Sequence, residues 1–210
     1  MRLPATVALG RLRRLAKPVF STGDAALYLG LTAPATTRLL QRLERAGLAL
    51  KIRDGLWTLD LGIDPLLLPE HLAAPFPAYV SLLTALQMHG LISQIPSVVY
   101  AVSLAPTRRI RTRIASYSIH RIAPTFFGGF RTLPSGLRLA TPEKALADTI
   151  YLAPARSRLF AHLPELEIPR RFDRAAARGW ASRIPPGPRR VMFEQRLERL
   201  LQPRGRGRRR

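Results

Sequence analysis

Arg38, Gln41, Arg42 and Arg45 are spaced so that a helix would carry all four side chains on one face. Guanidinium and carboxamide groups are the donors and acceptors that pair bidentately with guanine and adenine edges, and arginine also grips phosphate oxygens. At about 100° per residue, Pro34 joins that polar face, while Thr36, Leu39, Leu40 and Leu43 fall together on the other. One face can pack and the other can reach a DNA groove. The chemistry these residues suggest is recognition of duplex DNA. The candidate contact set is Thr32, Pro34, Thr37, Arg38, Gln41, Arg42 and Arg45, followed by Lys51 and Arg53 and, farther on, Arg109, Arg111 and Arg113.

The flanking sequence predicts how that helix is held. Asp24 to Leu29 reads as a short apolar helix, and Gly30-Leu31 breaks it. Thr32 stands where an N-cap is wanted, with a hydroxyl free to accept from the first orphan amides. Pro34 sits near the helix start, where its missing N–H costs little. Gly47 ends the helix. Leu48 to Ile52, the turn Arg53-Asp54-Gly55 and Leu56 to Leu59 then read as a hairpin. Most amphipathic helices carry arginine on their wet side, so a basic face alone says little. Here a short helix, a glycine turn, a capped basic helix and a hairpin follow in order, which predicts a winged helix-turn-helix. Pro4 to Ala16 reads as an opening helix that completes its core.

Asp64 to Pro77 contains Pro65, Pro69, Pro75 and Pro77 and reads as an irregular boundary. The expected organisation is a DNA-binding domain over 1–66, a proline-rich linker over 67–77, a second domain over 78–202 and a disordered arginine-rich tail over 203–210. In the second domain Ala78 to His89 reads as a helix. Val98 to Leu104, Ile114 to Ile122, Phe126 to Arg131 and Leu137 to Ala140 read as strands. Thr141-Pro142-Glu143 opens a helix that Lys144 to Leu152 continues, and Arg174 to Arg183 and Arg189 to Leu201 read as two more. The fold class is α+β: an N-terminal winged helix-turn-helix followed by a mixed α/β domain with a small, mostly antiparallel sheet. Arg109, Arg111 and Arg113 alternate with apolar or small residues, so an extended chain would place all three on one side. Such a face suits a phosphate backbone, and it equally suits a solvated edge that discourages strand addition.

Lysine and arginine total 34 against 13 acids, a net charge of +21, and only Lys17, Lys51 and Lys144 are lysines. A GC-rich genome accounts for arginine over lysine but not for the scarcity of acids. So basic a chain should bind polyanions, with affinity that falls steeply as salt rises. The charge is uneven: residues 1–69 and 70–168 each carry ten basic and five acidic residues, and 169–210 carry fourteen and three. The closing run Arg204 to Arg210 has nothing apolar to bury and suits non-specific phosphate contacts.

Catalytic patterns are sparse. The chain has no cysteine, which excludes disulfides, thiolate metal sites and cysteine nucleophiles. His71, His89, His120 and His162 are scattered singly, and no glycine-rich phosphate loop or nucleophile elbow occurs. A nuclease would need clustered carboxylates to hold divalent metal, yet Glu143 and Asp148 would sit about 140° apart on one helix. No enzymatic activity, cofactor or metal is expected. No apolar run is long enough to span a bilayer and no leader-like segment opens the chain, so a cytoplasmic protein without membrane contact is expected.

The order of that N-terminal region, then AYVSLLTALQMHGLI, VVYAVSLAPTRRIRTR, FFGGF and LATPEKALADTIYL, resembles the AbiEi-type antitoxins of bacterial type IV, abortive-infection toxin-antitoxin systems. The resemblance covers roughly residues 5 to 152, and ATPEKALADTIYL is its most specific piece. It implies a transcriptional repressor that binds inverted repeats upstream of its own operon, with a C-terminal domain that counters a nucleotidyltransferase-like toxin. The matching positions are Thr32, Arg38, Gln41, Arg42 and Arg45 on the recognition helix and Lys51 and Arg53 at the wing. The alternative from a different class is a protein-binding module whose basic surface neutralises an acidic toxin by direct contact.

Overall fold

The computed structural model describes residues 3–154, 160 and 165–202. The expected tail at 203–210 and His162 lie outside them. Helix α1 (Ala5–Arg14) leads to a two-residue strand β1 (Phe20–Ser21), helix α2 (Thr22–Leu29) and helix α3 (Ala33–Arg45). Strands β2 (Leu50–Arg53) and β3 (Leu56–Thr58) follow. Strand β1 was not expected; it pairs antiparallel with β3, giving a three-stranded order β1-β3-β2. Ser21 then caps α2 in a reciprocal box: its hydroxyl accepts from the Asp24 N–H while the Asp24 carboxylate accepts from the Ser21 N–H. Gly30 takes φ +66°, a left-handed turn in which the Leu31 N–H donates to the Ala26 carbonyl and redirects the chain into α3. Leu39, Leu40 and Leu43 bury against Ala8, Leu12, Leu29 and Trp57, and the Trp57 indole donates to the Thr22 hydroxyl at 3.0 Å.

The proline-rich stretch is not an irregular linker. Pro65–Leu67 is a 3-10 turn, and Leu68–Ala73 is helix α4 with Leu68, Leu72 and Ala73 fully buried. Pro65 and Pro69 stand in first turns, where the absent N–H has no helical partner to lose, and Pro75 and Pro77 fall in the connection to the next strand. This segment packs into a core that takes Val19 and Ile52 from the N-terminal region and Ala101, Tyr117 and Ile119 from the region beyond. The two regions therefore share apolar surface.

A six-stranded sheet follows, built from β4 (Ala78–Val80), β5 (Val99–Ser103), β6 (Arg108–Arg111), β7 (Ser116–Arg121), β8 (Phe130–Thr132) and β9 (Arg138–Ala140) in the order β6-β7-β5-β4-β9-β8. It is larger and more mixed than expected, because β5 runs parallel to β7 and β4 to β9. The expected helix at Ala78 begins instead as β4, and helix α5 spans only Leu82–Met88. All three β4 residues are buried between β5 and β9, and a continuous apolar run does not distinguish a buried strand from a buried helix. The expected strand at Phe126 is a 3-10 turn, Pro124–Phe126, and the glycine pair at 128 and 129 delays β8 until Phe130.

Helix α6 (Pro142–Leu152) opens as expected, with the Thr141 hydroxyl accepting from the Lys144 N–H. Helix α7 (Arg174–Gly179), a 3-10 turn at Trp180–Arg183 and helix α8 (Pro188–Leu201) close the described chain. The molecule is mixed α+β. Helices α5 to α8 cover one face of the sheet, with Tyr79, Val102, Leu146 and Phe193 in that core, and α4 with the N-terminal hairpin covers the other.

Candidate nucleic-acid interface

Helix α3 is amphipathic as its spacing requires. Thr36, Leu39, Leu40 and Leu43 are buried, while Pro34, Arg38, Arg42 and Arg45 are exposed and Thr37 and Gln41 are half-buried. Thr32 occupies the N-cap position, but its side chain makes no capping hydrogen bond. An N-cap side chain accepts from the second or third helical N–H; Pro34 at the second position has none, and Thr32 does not take the Ala35 N–H at the third. The Thr32 carbonyl accepts from the Thr36 N–H at 2.9 Å and from the Thr36 hydroxyl at 3.0 Å. The exposed Thr32 hydroxyl is left for an external partner. The Thr37 hydroxyl donates to the Ala33 carbonyl, and Arg38 Nε donates to the Pro34 carbonyl at 3.3 Å, which aligns its guanidinium along the helix.

An open groove of about 430 Å³ runs beside this face. Arg38, Gln41, Arg42 and Arg45 give it a polar lining, and Leu3, Leu31, Ala35 and Leu39 an apolar one. No protein-family model and no curated protein matches the chain. The chemistry of the groove must therefore be read from its own residues. A lining that mixes guanidinium groups with apolar side chains suits an anionic ligand that also offers apolar surface.

The other candidates are placed unevenly. Arg53 is exposed on β2 near the Asp54-Gly55 turn. Lys51 is half-buried, with its ammonium 2.5 Å from the Asp54 carboxylate and 5.9 Å from the Trp57 ring centre. That pairing holds the exposed Asp54 carboxyl below its ordinary range and spends much of the Lys51 charge inside the turn. Arg109 and Arg111 are exposed on β6, but Ile110 faces the N-terminal side, so their side chains lie on the opposite face of the sheet from α3. Arg113 does not share their side. It lies past the end of β6, where the chain bends, and its guanidinium meets the Glu44 carboxylate of α3 at 2.5 Å. The alternation that put three arginines on one face assumed an extended chain through Arg113; the Thr112 side chain, which takes the Ala115 N–H and donates to the Ala115 carbonyl, turns it instead.

A second cluster went unseen in the sequence. Lys144 and Asp148 lie one turn apart on α6, fully buried, with the ammonium 2.8 Å from Asp148 Oδ1. The ammonium also donates to the Phe126 carbonyl at 2.6 Å and lies 3.8 and 3.9 Å from the ring centres of Phe126 and Trp180. Asp148 Oδ2 accepts from Ser81 Oγ at 2.6 Å and from the Tyr79 hydroxyl at 3.1 Å. Burial pushes the Asp148 carboxyl up and the Lys144 ammonium down, each opposed by the other's charge. The signal was the i, i+4 spacing of lysine and aspartate in an otherwise apolar helix. Pairing Asp148 with Glu143 obscured it, since Glu143 instead accepts from the Asp173 N–H at 3.0 Å. Fully enclosed, the cluster ties the FFGGF and TPEKALAD segments together. Among the described residues no three His, Asp or Glu side chains converge as a metal site, and no helix is long and apolar enough to cross a membrane.

Proposed function

We propose that this protein binds double-stranded DNA through α3 and acts as the autorepressor and antitoxin of a toxin-antitoxin operon. The observation that carries the DNA reading is that Arg38, Gln41, Arg42 and Arg45 share one accessible groove, on a helix whose opposite face is locked into a core. Read as a winged helix-turn-helix, α2 is the supporting helix, α3 enters the major groove, and the β2–β3 hairpin is a wing that offers Arg53 to the backbone. Arg38, Gln41 and Arg42 would read base edges, and Arg45 and Arg53 would hold phosphates. The net charge of +21 supplies the long-range attraction.

The wider reading rests on the order of segments that resembles the AbiEi-type antitoxins. It assigns an inverted-repeat operator upstream of the protein's own gene and a nucleotidyltransferase-like toxin as the cognate partner. A gel shift with that upstream region tests the core of the proposal. Arg38→Ala should weaken operator binding by about 1–3 kcal/mol if the guanidinium is bidentate to guanine. Lys51→Ala should cost less, because its charge is already spent on Asp54. Unchanged operator affinity of a folded Arg38→Ala protein would remove α3 as the reading helix.

A further inference from the structure

The side of the six-stranded sheet away from α3 carries a second concentration of cation. Residues 169–202 contain nine arginines against three acids, Asp173, Glu194 and Glu198. Some of these arginines serve the fold: Arg178 pairs with Glu198 at 2.6 Å, and Arg174 donates to the Leu201 carbonyl at 2.7 Å, which clamps the start of α7 to the end of α8. Arg170, Arg171, Arg183 and Arg199 are exposed, and their guanidinium groups have no partner among the described residues. Arg109 and Arg111 project on the same side. Arg109 stands in register with Ser118, Ser118 contacts His120 at 2.8 Å, His120 packs on Phe160, and the Phe160 carbonyl accepts from Arg196 of α8. One chain of neighbours thus joins the outer arginines of β6 to the helical layer.

The character of this face selects its ligand. Single strands are held by exposed aromatic rings on which bases stack. Among the described residues from 165 onward, Val191 is the one large apolar side chain that is substantially exposed. Unpartnered guanidinium groups without a stacking platform fit the phosphates of a duplex, which arginine grips with a planar fork. The six-stranded sheet stands between α7–α8 and the N-terminal side that carries α3, so the helical arginines meet their own stretch of duplex, while the end of β6 reaches α3 through Arg113 and Glu44.

We propose that the β6–α7–α8 side is a second duplex-DNA-binding face that holds backbone phosphates without reading bases, so that one molecule bridges two DNA segments. The bridging rests on α3 being the first such face. The test uses the full chain, an operator duplex fixed to beads and a labelled second duplex of unrelated sequence.

Changing Arg170, Arg171, Arg183 and Arg199 together to Gln should leave binding to one operator duplex within about twofold and reduce capture of the second duplex about tenfold or more. The salt dependence of capture should flatten by roughly 3 to 4 in log–log slope, at about 0.9 for each phosphate no longer neutralised. A separate Arg109→Gln, Arg111→Gln protein should lose capture to a smaller degree with the helices untouched. Undiminished capture by both proteins overturns the second face and leaves bridging to paired α3 helices in an oligomer. The α3 reading has its own readout: Arg38, Gln41 and Arg42 changed together to Ala should lose operator preference yet keep salt-sensitive binding to any duplex. Retained operator preference in that protein overturns the α3 reading and leaves the second face standing.

Discussion

Lys144 and Asp148 hold opposite charges 2.8 Å apart at a place where neither side chain reaches solvent. A buried pair is costly to assemble and more costly to break, because a lone survivor keeps its desolvation penalty. Here Ser81, Tyr79, a carbonyl and two aromatic faces complete the environment, so the pair specifies how α6 meets β4 and the Phe126 turn.

Lys144→Met should destabilise the fold by about 3–5 kcal/mol, and Asp148→Asn by a comparable amount. The double variant should cost clearly less than the sum, since each single change strands the other partner. Urea denaturation of the four proteins measures the coupling. Additive losses would mean that the two groups act independently.

Gly129 supports the same cluster from the far side. Its φ is +71°, and a Cβ added there would lie 2.4 Å from Trp180 Cζ2 and 3.0 Å from Lys144 Cγ. Gly129→Ala should therefore combine left-handed backbone strain of about 1–2 kcal/mol with displacement of the indole. Trp180 fluorescence should shift and the denaturation midpoint fall, whereas Gly10→Ala, inside α1 with nothing within 4 Å of its Cβ, should leave the fluorescence alone and raise the midpoint slightly through helix propensity.

His120 gives the protein an acid-sensitive element. Burial first, and the nearby Arg109 charge second, lower its pKa from 6.5 to about 4. Because folding favours the neutral ring, the unfolded chain takes up the proton first as pH falls. The contribution is fully present above pH 6.5 and is lost on the way down through about 4. Stability should decline by up to about 3 kcal/mol over that window, and His120→Gln should remove this part of the slope. Denaturation midpoints at pH 7 and pH 4.5 for both proteins provide the comparison.

The shared core bears on whether DNA binding and toxin control can be separated. Changing Arg38, Gln41 and Arg42 to Ala alters exposed or half-buried positions only, so this protein should unfold like the parent. If antitoxicity belongs to the second region, it should still rescue cells that express the adjacent toxin from an unrelated promoter. Ile52→Ala lies in the core that joins the regions and should cost about 2–4 kcal/mol across a single cooperative transition. Two transitions, with only the first moved, would show that the regions unfold separately.

Local signals in the sequence determined the N-terminal elements well. The faces of α3, the stop at Gly30 and the hairpin after Gly47 follow from helical periodicity and turn chemistry, which act between near neighbours. The cap and proline at Thr141-Pro142 placed α6 for the same reason. Tertiary structure decided the rest. Strand β4 could not be told from a helix because an apolar run buried on every side carries no period, and β1 is too short to pattern. Two of the sheet's pairings are parallel, a property of distant partners that no local pattern encodes. Pro65 and Pro69 marked helix starts, and only packing against Ile52 and Tyr117 made that segment part of a core. Arg113 was expected beside Arg109 and Arg111 by alternation. A bend fixed by Thr112 and a carboxylate on a helix 69 residues away took it elsewhere, because an ion pair answers to distance in space and alternation answers only to an extended chain.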